Sequence, residues 1–171
     1  MTKKKETQHI VLLAASYIFY ALGDIRFLGL LFLMSLLVWW LGLAIQNDDN
    51  KKKPLIIGVV IALCSLVFFK YFNFFVESFA RILGQHSVHT LKIILPIGIS
   101  FYIFQAISYL ADVYYGKVQA RKSVVDILLY IGFFPQIVSG PIVKAHDFFP
   151  QLEERHVITK EKLSYGLQII I

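Results

Sequence analysis

The residues best suited to chemistry in this chain are polar groups set into otherwise apolar sequence. Gln105, Ser108, Tyr109 and Asp112 follow one another at i, i+3, i+4 and i+7, with Tyr102 one turn earlier. At about 3.6 residues per turn they form one stripe of a helix whose other positions are Ile103, Phe104, Ile107, Leu110 and Ala111. Hydrocarbon leaves an unpaired polar group at a cost of several kcal/mol, so such a stripe is expected to face protein or a water-lined passage. An intramembrane Asp is a functional candidate in its own right. Two roles stay open for Tyr102, Gln105, Tyr109 and Asp112: lining a substrate channel, or bonding neighbouring helices together.

A second signal is the tetrapeptide Phe-Phe-Pro-Gln, present at 133–136 and again at 148–151. Each proline removes an N–H and frees carbonyls in the preceding turn, and each glutamine brings two donors and an acceptor close by. With Gly140-Pro141 between them, residues 126–152 read as a helix, a kinked re-entrant piece and an exit. Gln136 joins the channel candidates on this basis, and the alternative is a pair of helix stops at the membrane interface. Other chemistry is weakly signalled. Ser100, Ser108 and Ser139 have no glycine-flanked elbow, and neither HExxH nor a glycine-rich phosphate loop is present. His86 and His89 lack further nearby ligands, so no metal site is expected. His146 beside Asp147 lies among Lys144 and Glu153 and reads as wet surface.

The elements that must position these groups are membrane helices. Hydrophobic residues make up 57% of the 171 and charged residues 16%, with the apolar ones in long blocks. Crossing a hydrocarbon core about 30 Å thick takes roughly 20 such residues. The fold class is therefore an all-α integral membrane protein, a multi-helix bundle with short, broken or re-entrant helices. The hydrophobic segments are 10–22, 27–45, 54–79, 95–115, 124–142 and 160–171. Gly23-Asp24-Ile25-Arg26 predicts a tight polar turn after the first, which is read as a retained short or hairpin-forming helix and not a cleaved signal. Gln46–Lys53 is a solvated loop, Pro54 opens the next helix, and Lys70 snorkels to headgroups. Arg81–Lys92 reads as a loop. Leu163–Ile171 reads as a piece of a longer helix. Cys64, alone of its kind, forms no intrachain disulfide and is expected to be a small buried hydrophobe.

The net charge of +6 does not point to nucleic acid, because its lysines and arginines cluster in loops between apolar blocks. Lys3–Lys5, Lys51–Lys53, Lys117, Arg121 and Lys122 fall on one side of a simple threading, against Arg26, Lys70, Arg81 and Lys92 on the other. That asymmetry predicts a cytoplasmic N-terminus.

The stretches LPIGISFYIFQAISYLADVYYGK (95–117), FFPQIVSGPIVKAHDFFPQL (133–152) and FKYFNFF (69–75) resemble the membrane-bound O-acyltransferase family. The resemblance is closest to its alginate O-acetyltransferase-like branch, and Leu12–Gln46, with Tyr-Ala-Leu-Gly-Asp at 20–24, is similar to that branch's early helices. It implies an N-terminal portion of a multi-pass bacterial inner-membrane enzyme that passes an acyl group, typically acetyl, to hydroxyls of a cell-surface or secreted polysaccharide. No bound cofactor is expected. An acyl donor such as acetyl-CoA, a polysaccharide acceptor, an extracytoplasmic acyltransferase partner and the remainder of the enzyme are the implied partners, beside the lipid bilayer. The chain departs from the family in three ways. A helix before Ile10 is missing, Lys144 stands where arginine is usual, and none of His9, His86, His89, His146 and His156 matches the active-site histidine of the second half. The resemblance therefore implies tunnel wall and scaffold here, not the catalytic base. A non-catalytic membrane subunit and a small transporter-like protein are the competing readings.

Overall fold

A computed structural model describes residues 3–82 and 94–154, with Ser164 and Gln168 beyond. Six helices account for almost all of it: α1 (Lys3–Asn47), α2 (Lys52–Ile82), α3 (Ile99–Tyr114), α4 (Val124–Gly132), α5 (Phe134–Ser139) and α6 (Ala145–Glu153). No strand occurs among the described residues. The protein is an all-α membrane protein. Thr7–Asn47 and Lys52–Phe72 are long and apolar enough to cross a bilayer. The expected loop at 81–92, with His86 and His89, and the segment 160–171 lie outside the described residues for the most part.

α1 is two arms. Asp24 alone leaves helical geometry (φ −162°, ψ 107°). Its carboxylate accepts the Arg26 backbone N–H at 3.0 Å and two bonds from the Arg26 guanidinium, so it caps the second arm. A straight helix would hold His9 and Trp39 about 45 Å apart. Instead His9 meets Asp126 while Trp39 donates to the carbonyl of Lys122. The arms therefore fold back on each other, and the polar turn predicted over four residues is made by one. Helix also begins earlier than the apolar run at Ile10, at Lys3.

This fold-back sets the topology. One end of the bundle, here the near end, gathers the start and finish of α1, the loop 115–123 and α6. Gln46 accepts the Ala120 N–H there at 2.6 Å, and Arg121 pairs with Glu153. The far end holds the bend at Asp24, the start of α3 and α5. Ile97 lies against Gly23, and Tyr20 donates to the Ile97 carbonyl at 3.0 Å. Chain 124–153 leaves the near end in α4, reaches the far end in α5, where Ile137 packs on Gly98, and returns to the near end in α6. It is a re-entrant hairpin packed chiefly against α1 and α3.

α3 stands centrally, with Tyr102, Ile103, Ala106, Tyr109 and Leu110 fully buried. The apolar positions off the polar stripe divide between core and surface. Ile103 and Leu110 are core residues, and Phe101 and Phe104 are what α3 exposes. Cys64 corrects a second expectation, since it lies exposed on α2. Pro150 corrects a third. It sits inside α6 and does not stop it, because α6 starts only at Ala145 and one missing N–H near its end is tolerated.

Candidate functional site

Gln105, Tyr109, Asp112 and Gln136 lie on the contact between α3 and the re-entrant hairpin, and Tyr102 faces Tyr20 of α1. Gly98, at φ +70°, turns the chain into α3, a conformation that side chains disfavour. A Cβ there would also sit 2.6 Å from the Ile137 carbonyl oxygen. One turn along, Tyr102 is fully buried and its hydroxyl has no hydrogen-bond partner.

Gln105 is 3% exposed. Its Nε2 donates to the Tyr130 carbonyl at 2.9 Å and to Gln136 Oε1 at 3.0 Å. These bonds answer the break between α4 and α5. Phe133 is extended (φ −64°, ψ 110°) and Pro135 opens α5, so the last carbonyls of α4 lose their i+4 donors. Gln105 satisfies one of them from α3. From α1, Ser16 Oγ accepts the orphaned Phe134 N–H at 3.4 Å. Sequence and geometry agree on the cause: proline creates the deficit and two neighbouring helices supply the missing partners.

Tyr109 reaches the near end, where its hydroxyl accepts the Arg121 N–H at 3.0 Å. A Cβ on Gly42 would lie 2.9 Å from the Tyr109 ring, so glycine makes room for that ring. Around it, Tyr130 and Phe149 lie with ring centroids 6.1 and 6.2 Å away, and the Arg121 guanidinium stands 4.3 Å over Phe149. Tyr130 in turn donates to the Val143 carbonyl at 3.0 Å, which ties the two limbs of the hairpin together.

Asp112 ends the stripe. Its carbonyl accepts the Lys117 and Val118 N–H groups while Gly116, at φ +71°, closes a Schellman-type turn. Its carboxylate is nearly buried, with Oδ1 3.9 Å from Lys117 Nζ and Oδ2 3.8 Å from His146 Nδ1. Both distances exceed a hydrogen bond, so these are charge contacts only. His146, read from sequence as plain surface, is therefore half exposed between Asp112 and Asp147.

Sequence reasoning missed a buried pair. His9 Nδ1 lies 3.1 Å from Asp126 Oδ1, and His9 Nε2 donates to the Leu152 carbonyl at 3.3 Å. This joins the start of α1 to both limbs of the hairpin. A partial signal existed: Ser123-x-x-Asp126 reads as a helix-capping motif, and Ser123 Oγ does accept the Asp126 N–H. Its carboxylate, however, turns to His9. His9, Ser16 and Tyr20 also share one face of α1 at i, i+7 and i+11, a polar stripe whose partners are Asp126, the Phe134 N–H and the Ile97 carbonyl.

A cavity of about 340 Å³ opens at the far end, with Phe19, Tyr20, Gly23, Phe27, Ile97 and Ile137 on its wall. Tyr102, Gln105, Tyr109, Asp112 and Gln136 are not on that wall. No group of three or more His, Cys, Asp or Glu suited to a metal ion occurs among the described residues.

Comparison of the sequence with known proteins covers most of the chain. The chain is 38% identical over 161 residues to "Probable alginate O-acetylase AlgI" of Azotobacter vinelandii, covering 90% of this chain and 32% of that protein. The Pseudomonas aeruginosa protein of the same name is 37% identical over 161 residues, covering 90% of this chain and 31% of that one. The chain belongs to the alginate O-acetyltransferase-like branch of the membrane-bound O-acyltransferases. "Peptidoglycan O-acetyltransferase" of Helicobacter pylori is 32% identical over 172 residues, covering 85% of this chain and 32% of that protein. The chain thus spans about a third of the length of these relatives. No family model and no solved structure matches it.

Proposed function

We propose that the chain forms part of an O-acyltransferase of the bacterial inner membrane, which passes an acyl group, acetyl by preference, to hydroxyls of a cell-surface or secreted polysaccharide. The observation that carries this reading is similarity across about nine-tenths of the chain to proteins named for acetyl transfer to alginate and, over slightly less, to peptidoglycan. An acyl donor such as acetyl-CoA and an extracytoplasmic partner belong to the same reading.

Acyl transfer needs a base for the attacking hydroxyl and donors for the developing oxyanion. The two described histidines, His9 and His146, are turned to carboxylates and a carbonyl. The part of this region is positional. Gln105, Tyr109, Gln136 and Tyr130 hold a helix that enters and leaves at one end of the bundle, and a rigid hairpin of this kind fixes the wall along which donor and acceptor would meet. Tyr102 and Asp112 are the stripe members with unused hydrogen-bonding capacity, and these we assign to the substrate path.

Deleting the gene in its host and measuring base-labile O-acetyl groups on surface polysaccharide tests the reading. Acetyl content is expected to fall and to return on re-expression of the wild-type gene. Unchanged acetylation of every surface polysaccharide on deletion would overturn it.

A further inference from the structure

Both ring nitrogens of His9 face acceptors. Asp126 Oδ1 lies 3.1 Å from Nδ1, and the Leu152 carbonyl oxygen lies 3.3 Å from Nε2. A carbonyl has no hydrogen to offer, so Nε2 carries one. In a neutral ring that leaves Nδ1 with a lone pair aimed at a carboxylate, which also accepts when ionised. The contact therefore closes with one further proton. Imidazolium with carboxylate and neutral imidazole with carboxylic acid hold the same number of protons and make the same two hydrogen bonds. Water is poorly placed to substitute, since His9 and Asp126 are 4% and 6% exposed. Without the proton, two acceptors would face each other out of water beside an uncompensated charge.

The position of the pair gives that proton something to control. Asp126 lies in the first turn of α4 and Leu152 in the last turn of α6, the two ends of the hairpin 124–153. One imidazole from α1 holds both. The other charged residues beside these contacts are Arg121 and Lys122 before α4, Glu153 and Glu154 at the end of α6, and Lys3–Glu6 ahead of His9 on α1. Arg121 pairs with Glu153 across the same two limbs, and a guanidinium does not give up its charge in a protein. Lys122 and Glu154 are exposed.

We propose that His9 and Asp126 form a buried proton-binding site that latches the re-entrant hairpin to α1. Occupied, it closes the near end of the bundle. Emptied as pH rises, it sets lone pair against lone pair and lets the hairpin loosen from α1. Asp126→Asn removes the need for the proton. The amide donates to Nδ1 of a neutral ring, Nε2 keeps its hydrogen for Leu152, and the latch stays closed at either extreme of pH.

Thiol labelling of the full chain tests this, with Leu128→Cys buried on α4 and Gln119→Cys exposed in the loop before it, each in a Cys64→Ala background. Membrane fragments open on both faces are treated with a small maleimide from about pH 5.5 to about pH 9, across the range in which imidazoles ordinarily titrate. The rate at 128 is divided by the rate at 119, which cancels the pH dependence of the thiol itself. With the native pair the ratio is expected to rise about tenfold or more, the equivalent of one hydrogen bond lost. With Asp126→Asn it should stay low and flat, and with His9→Gln it should be flat at whatever level it takes. His146→Gln should leave the rise intact, because His146 lies between Asp112 and Asp147. A flat ratio with the native pair, an equal rise with Asp126→Asn or His9→Gln, or loss of the rise with His146→Gln would overturn the proposal. The native series and His146→Gln leave the pair untouched, so the test stands even if Asp126→Asn fails to fold.

Discussion

The two copies of Phe-Phe-Pro-Gln share a sequence and not a structure. At 133–136 the first phenylalanine is extended and the proline opens a new short helix. At 148–151 all four residues lie within one continuous helix. The first glutamine is half-buried and bonded to Gln105, while the second is exposed. The phenylalanines divide the other way, with Phe148 and Phe149 at 8% and 1% exposure and Phe133 and Phe134 only partly buried. What separates them is where the preceding helix began. Pro135 falls after a long-established α4 that must give up carbonyls, whereas α6 starts too late for Pro150 to break more than one bond. A break also needs partners, and only the first copy has Ser16 and Gln105 beside it. Proline proposes a break, and the neighbours decide whether it persists.

The sharpest way to disrupt the first copy is through the backbone it rests on. Gly98→Ala is expected to cost about 3 kcal/mol or more, since a strained left-handed residue would also meet the Ile137 carbonyl. Reversible unfolding in detergent should read this as a large loss, with the fold lost in the limit. Gln105→Leu comes next, at roughly 1–3 kcal/mol, because the Tyr130 carbonyl is left buried without a donor. Acetylation read beside stability would separate two roles: activity falling in step with folded protein favours a stitch, and activity falling in stable protein favours a channel wall. Ser16→Ala should cost about 1 kcal/mol for the weaker bond to Phe134. At the second copy, Gln151→Ala should lie within about 0.5 kcal/mol of wild type, as exposed positions do. A loss at Gln151 equal to that at Gln105 would erase the distinction between the copies.

Much of this organisation was legible in sequence. Helical spacing alone puts Tyr102, Gln105, Tyr109 and Asp112 on one side of α3, and all four are buried. Asp24 in the Gly-Asp-Ile-Arg turn carries its signal in its own chemistry, since a short acceptor side chain caps the arm that follows. Pro135 likewise announces the break it makes. The rest depended on distance along the chain. Nothing near His9 points to Asp126, which lies 117 residues away. The contact of His146 with Asp112 needs α6 to return to the near end, and no local pattern encodes that return. That Ile103 and Leu110, off the stripe, are core residues was not legible, because hydrocarbon and protein interior accept the same apolar side chains and composition cannot tell one from the other.

The central structural claim is that 124–153 enters and leaves at the same end of the bundle, with the lysine-rich ends on the cytoplasmic side. Single cysteines at Asn50, Gln119, Asp147 and Arg26, in a Cys64→Ala background, test it directly with an impermeant thiol reagent. The first three positions are exposed at the near end, and Arg26 is exposed at the far end. Asn50→Cys, Gln119→Cys and Asp147→Cys should stay unlabelled in intact cells and label after lysis, while Arg26→Cys labels in intact cells. Labelling of Asp147→Cys together with Arg26→Cys, and apart from Gln119→Cys, would show that the hairpin crosses the membrane and would contradict the account.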